Sequence, residues 1–224
     1  CQGKKALLIE GARRIGKSTI CEEFGKSEYK SFLLIDFAKK DKEVEGYFEK
    51  YLNDLDTFFM LLQTHFGTKL TERNSLIIFD EVQMFPQARA AIKYLVADGR
   101  YDYIETGSLI SIRENVKNIV IPSEERHINM YPLDFEEFAI ALEEDLLVEY
   151  IKKCFEKREP LERSMHNQAM LLFHQYMLVG GMPMPVVTFI ESKKDFTEAD
   201  REKRDILKLY REDIMKIDAK YRSK

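Results

Sequence analysis

The sequence predicts an α/β protein, a parallel sheet covered by helices on both faces and followed by an all-helical region. Three observations carry that expectation. Short apolar runs recur along the first half of the chain with long helical patterns between most of them. The first run leads straight into a glycine-bracketed turn that ends in a lysine and a serine. Strand signals then stop near residue 133. Parallel strands are buried on both faces, so they read as continuous apolar runs, and joining them requires a crossover long enough to hold a helix.

Taken in order, KALLIE (5–10) is the first strand, and GKSTICEEFGK behind it reads as a helix. FLLIDF (32–37) is the second strand. Residues 44–66 then carry Val44, Phe48, Tyr51, Leu55, Phe58 and Leu62 at spacings of three and four, a helical pattern whose aromatic residues read as core. SLIIFD (75–80) is the third strand, and the helix after it opens with Pro86 and closes at Gly99. YDYIET (101–106) and RHINM (126–130) complete five strands. Pro132 breaks the last of these, and Asp134 is placed to cap the helix that follows. DFEEFAIALEEDLLVEYIKKCFEK, HNQAMLLFHQYMLV and EADREKRDILKLYREDIMKIDAKYR all read as helices. The expected organisation is a core over 1–133 and a helical lid over 134–224.

Composition bounds the partners. With 224 residues, 45% hydrophobic and 33% charged, the chain can bury a full core, which excludes disorder and a disulfide miniprotein. No stretch approaches the ~20 apolar residues of a membrane-spanning helix. Cys1, Cys21 and Cys154 are scattered, as are His65, His127, His166 and His174, which predicts a reduced cytoplasmic setting and no histidine or cysteine metal site. The net charge of -4 repels phosphate, so nucleic acid is expected only through a local patch or a segment outside this sequence. The chain begins at Cys1 and ends inside a charged helical pattern, and it reads as a piece of a longer protein.

The chemistry lies in GARRIGKS (11–18), a G-x-x-x-x-G-K-S spacing between a buried strand and a helix. Gly11 and Gly16 permit close backbone approach, and the N–H groups of Ala12, Arg13, Arg14, Ile15, Gly16, Lys17, Ser18 and Thr19 are the expected cradle for the phosphates of ATP or ADP at a helix N-terminus. Lys17 is expected on the β- and γ-phosphates, and Ser18 on Mg²⁺. Asp80 and Glu81 end the third strand, where open α/β sheets place their ligands: Asp80 as a metal ligand through water, Glu81 as the base for the attacking water. Thr106 and Ser108, in ETGS, are sensor candidates for the γ-phosphate or that water, with capping of the next helix as the competing reading. The Asn-Lys-x-Asp tetrad of a GTPase is absent from the sequence. A small-molecule kinase would not need Glu81 directly after Asp80, whereas a nucleotide-gated switch without appreciable turnover would use the same residues as a slow ATPase.

GARRIGKSTI, LIIFDEVQMFPQA, YIETGSLI and INMYPLDFEEF, in this order and at these distances, resemble the prokaryotic AAA-family ATPases of the archaeal type, relatives of the signal-transduction ATPases with numerous domains. The resemblance implies a P-loop NTPase with a five-stranded sheet in the order 5-1-4-3-2, a helical lid, and a winged-helix or nuclease-like C-terminal domain that nothing in this sequence matches. It also implies an arginine finger before the fifth strand, for which Arg126 is the candidate, with an ion pair to Glu124 or Glu125 as the alternative. In YMLVGGMPMPV it implies a lid motif that brings Pro183 near the base, compatible with Gly180 and Gly181 ending one helix and Pro183 starting the next. The partners expected are ATP, a second copy or another protein, and no membrane.

Overall fold

The computed structural model describes residues 5–108 and 122–222, with side chains as far as 215. The chain divides into two compact units, Cys1–Tyr131 and Pro132–Lys224.

The first unit is built on strands β1 (Ala6–Gly11), β2 (Ser31–Asp36), β3 (Ser75–Asp80), β4 (Asp102–Ser108) and β5 (Glu125–Met130), in the order β2-β3-β4-β1-β5. Every pairing is parallel. The order is that implied by the family resemblance. Helix α1 (Lys17–Glu28) follows β1, α2 (Lys42–Tyr51) and α3 (Leu55–Phe66) lie between β2 and β3, and α4 (Pro86–Asp98) follows β3. Alternate strand residues face opposite sides. Ala6, Leu8, Leu33, Ile35, Ile77, Phe79 and Tyr103 pack with the α2, α3 and α4 residues Phe48, Phe58, Leu62, Ala88, Ile92 and Leu95. Leu76, Ile78 and Ile104 pack on the other side with Cys21 of α1.

The single helical pattern expected over 44–66 is two helices. Asp41 caps α2 through Glu43 N and Val44 N, and Asp54 caps α3 through Thr57 N. The apolar spacing runs on across the break because both helices pack into one aromatic cluster, with the Phe48 and Phe58 rings 5.0 Å apart. Periodicity reports the buried face and is blind to a turn that preserves it.

The regular elements of the second unit among its described residues are all helices: α5 (Phe135–Ala141), α6 (Asp145–Lys157), α7 (Arg163–Val179), α8 (Pro183–Glu191) and α9 (Phe196–Arg222). The helical run expected from residue 134 is again broken in two, at Glu143, whose φ of 64° ends α5's path. Asp134 and Glu137 form a capping box at the start of α5. Phe138, Leu172, Val179, Val186, Phe189 and Ala199 are its core. Gly181 is packed so tightly on Leu133 that a Cβ there would lie 2.0 Å from the Leu133 carbonyl oxygen. The Leu133 N–H donates to the Gly181 carbonyl at 2.8 Å, and the Tyr176 hydroxyl donates to the Leu133 carbonyl at 3.0 Å. Among the described residues no helix is long and apolar enough to cross a membrane.

Candidate nucleotide site

The parallel register sets the site. Gly11, the last residue of β1, stands between Ser108 of β4 and Met130 of β5, so the loop that follows leaves the middle of the sheet at its C-terminal edge. A Cβ on Gly11 would fall 2.4 Å from Ile15 Cδ1 and 2.5 Å from the Met130 carbonyl oxygen, which explains the first glycine of the motif. Gly16, with φ 88° and ψ 17°, is the left-handed N-cap of α1, which explains the second. Arg14 is also left-handed, at φ 67°. Backbone of this kind turns successive N–H groups into one concavity. Ile15 is buried and anchors the loop, while Ala12, Arg13, Arg14 and Thr19 are exposed.

Lys17 is 5% exposed, and its ammonium donates to the carbonyls of Gly11 at 3.2 Å and Ala12 at 2.8 Å. Burial lowers its pKa, against the raising influence of Glu81 and Asp80. The amine is thus a cation held dry beside the loop, in the setting where a phosphate would be a favourable partner. Cys21, one turn further along α1, has its thiol pushed up to about 12 by burial and is unreactive.

The two halves of the predicted metal pole meet. Ser18 Oγ donates to Asp80 Oδ1 at 2.8 Å, although the residues come from different elements. Phe79 pairs with Glu105, which sets the end of β3 level with Thr106. The Thr106 hydroxyl donates to the same Asp80 Oδ1 and accepts the Glu81 N–H at 3.2 Å. One buried hydroxyl therefore fixes both members of the acid pair. Glu81 sits at φ 54°, an uncommon left-handed conformation for a non-glycine residue, and its carboxylate accepts a hydrogen bond from Gln83 Nε2. Ser108 is buried beside Gly11. The helix that Thr106 or Ser108 was expected to cap lies outside the described residues.

The donor set fits Mg²⁺. A serine hydroxyl and one carboxylate are hard oxygen ligands, and this ion keeps several waters and takes the rest of its shell from substrate phosphates. Among the described residues no group of three or more His, Cys, Asp and Glu side chains is arranged to hold a metal by itself.

Arg126 stands apart. It pairs in register with Leu7, four residues before Gly11, so it lies about 13 Å down the sheet from its own phosphate loop at ~3.3 Å per residue. Pro183 starts α8 in the second unit, behind the Met182 N-cap.

Sequence reasoning missed a buried polar cluster beneath α4. Arg89 makes a two-pronged ion pair with Glu125, Nε to Oε1 at 2.9 Å and Nη2 to Oε2 at 2.7 Å. His127 bridges Glu125, at 3.3 Å, and Glu10, at 3.0 Å. Glu105 is fully buried, and among the described residues no N–H donor reaches its oxygens. Burial raises its pKa well above the ordinary carboxyl range, the Glu125 charge adds to this, and Arg89 opposes it. The signal was present as a glutamate inside the apolar run YIET and an arginine among the apolar positions of α4. Arg89–Glu125 also links α4 to the first residue of β5, the strand that carries Arg126.

Solved structures similar to the chain include PCH-2 of C. elegans, at 12% identity and a TM-score of 0.44, covering 88% of this chain and 60% of that one. They include Hsp104 with ATPγS and casein, at 14% identity and 0.45, covering 89% and 39%. Aeropyrum pernix ORC1 in complex with DNA is similar at 9% identity and 0.37, covering 78% and 61%. The chain thus spans less than two thirds of each of these structures. No curated protein matches it. Residues 3–139, more than half of the chain, match the AAA domain family, and with its P-loop between β1 and α1 and its 2-3-4-1-5 parallel sheet the chain belongs to that family.

Proposed function

We propose that this chain binds ATP with Mg²⁺ at the P-loop and hydrolyses it, as the ATPase core of a longer protein that couples nucleotide state to a winged-helix or nuclease-like C-terminal domain. The observation that carries the reading is the convergence of Ser18 and Thr106 on one oxygen of Asp80, beside the buried Lys17 ammonium. Loop N–H groups and Lys17 bind the β- and γ-phosphates, with Lys17 exchanging its carbonyl partners for phosphate oxygens. Ser18 and Asp80 would hold Mg²⁺, which when bound would neutralise charge on the phosphoryl group. Glu81 orients the attacking water and takes its proton, and Thr106 holds the acid pair in register. Arg126 acts in trans, which makes self-association part of the reading, and Pro183 closes the lid toward the base. The setting is cytoplasmic.

A nucleotide-gated switch with little turnover is the second reading, favoured by the Gln83 hydrogen bond that holds the Glu81 carboxylate. Calorimetric titration with MgATP tests the site. Lys17→Ala is expected to abolish binding or nearly so, and Glu81→Gln to bind like the parent without releasing phosphate. MgATP binding equal to the parent in both variants would refute the P-loop reading. Phosphate release by the parent separates slow ATPase from switch.

A further inference from the structure

We infer that His127 is a proton-linked positioning residue of the nucleotide site: its ring ties the end of β1, where the phosphate loop begins, to β5, and the charge on the ring sets how well the loop takes the phosphates of MgATP. The inference rests on the proposed nucleotide site and adds its regulation by pH.

The buried polar cluster lies directly behind that site. On three neighbouring strands a cluster residue is followed by one with a proposed role in the reaction: Glu105 by Thr106 on β4, Glu10 by Gly11 on β1, and Glu125 by Arg126 on β5. His127 is in register with Leu8, which also pairs with Glu105, and Glu125 is in register with Ala6. Strand alternation therefore puts Glu10, Glu105, Glu125 and His127 on one face, the face that α4 covers with Arg89. The ring spans the diagonal between two strands, with Nδ1 3.0 Å from Glu10 Oε2 and Nε2 3.3 Å from Glu125 Oε2.

Only the charged ring satisfies both carboxylates. An imidazolium donates at both nitrogens, whereas a neutral ring donates at one and turns a lone pair on the other partner. Among the described residues, the charged and titratable groups gathered around it are Glu10 of β1, Glu105 of β4, Glu125 of β5 and Arg89 of α4. Burial keeps Glu105 protonated, so two carboxylates face one permanent cation, and Arg89 is already committed to Glu125 through two bonds. A proton on His127 brings the balance to zero. Without it a net negative charge stands beside Gly11, whose carbonyl takes the Lys17 ammonium, and phosphates would add more. Nucleotide binding and the charged ring thus favour each other: binding takes up protons, and affinity falls as pH rises through the range where histidine loses its charge.

The experiment is calorimetric titration with MgATP from pH 5 to 8, the span in which histidine changes charge. The parent's affinity divided by that of His127→Gln is expected to fall roughly 3- to 30-fold from the acid to the alkaline end, the range left for a half-exposed charge after solvent and salt screening. The ratio cancels the titration of the ligand itself. His127→Arg keeps a cation and several donors at every pH, and its advantage over His127→Gln should stay constant. At about pH 6.5, binding by the parent should take up more protons than binding by His127→Gln, read by repeating the titration in buffers of different ionisation enthalpy. Glu10→Gln removes the carboxylate nearer the loop and should flatten the parent's profile in the same way, which keeps the test decisive if His127→Gln fails to fold. Parallel profiles and equal proton uptake in the parent and either glutamine variant would overturn the inference and leave the P-loop reading standing. A loss of affinity in His127→Gln that is the same at every pH would overturn it as well, by showing a structural role. Failure of the parent to bind MgATP at any pH would overturn the P-loop reading and the inference with it.

Discussion

Replacing Thr106 by valine tests whether one hydroxyl organises the acid pair. The side chains are nearly isosteric, so the change removes chemistry and leaves volume. The Thr106 hydroxyl donates to Asp80 Oδ1 and accepts the Glu81 N–H at 3.2 Å, and Thr106 is fully buried. Losing a hydrogen bond to a charged acceptor costs about 1.5–3 kcal/mol, and stranding a buried N–H about 1–3 kcal/mol. The added methyl returns roughly 0.8 kcal/mol. The expected net destabilisation is about 2–5 kcal/mol, read as a lowered urea midpoint at constant slope. Asp80 keeps its bond from Ser18, so ATP affinity without magnesium should stay near the parent value, while the gain on adding magnesium shrinks. Any phosphate release should fall by as much as ~10²–10⁴-fold, the contribution of a positioned base, because the Glu81 backbone loses its anchor. Thr106→Ser keeps the hydroxyl and should restore magnesium dependence and turnover. A Thr106→Val protein with the parent's urea midpoint and the parent's magnesium dependence would refute the reasoning.

Glu105→Gln should flatten the pH dependence of stability. Burial, then the Glu125 charge, raises the native Glu105 pKa well above its ordinary 4.5, so between that value and the native pKa the folded state holds a proton that the unfolded chain has released. Stability of the parent therefore falls as pH rises through this window, by up to ~1.4 kcal/mol per pH unit, and Gln lacks that component; urea midpoints from pH 5 to 8 that run parallel for both proteins would contradict this. Gly181→Ala places a Cβ 2.0 Å from the Leu133 carbonyl oxygen, a backbone contact that cannot rotate away, and should lower the thermal midpoint of the second unit; a value equal to the parent's would show that the segment yields freely. Arg126→Ala should leave MgATP affinity largely intact and abolish any rise in phosphate release per subunit with protein concentration. A rate that is flat on dilution in the parent, with the variant no different, would confine Arg126 to a surface ion pair.

Much of the architecture was legible in the chain. The apolar runs of β1, β3 and β4 became strands because the middle of a parallel sheet is buried on both faces, whereas β5, at the sheet edge and mostly exposed, carries a weaker apolar signal. The motif GARRIGKS fixed the turn between β1 and α1 because only glycine satisfies the crowding at Gly11 and the left-handed angle at Gly16. Pro86, Gly99 and Asp134 marked helix ends through local backbone chemistry, and each end is where they put it. Tertiary structure decided what depends on neighbours distant in sequence. Ser18 meets Asp80 only because β3 and β1 flank β4 in register, and Thr106 joins them only from the strand between. The breaks at Asp54 and Glu143 were invisible because apolar periodicity records which face is buried, and a capped turn can preserve that face. The Arg89, Glu125 and Glu105 cluster was likewise unreadable as a unit: charged residues are stable in a core only when their partners arrive from other elements, and those partners are set by strand order and helix packing.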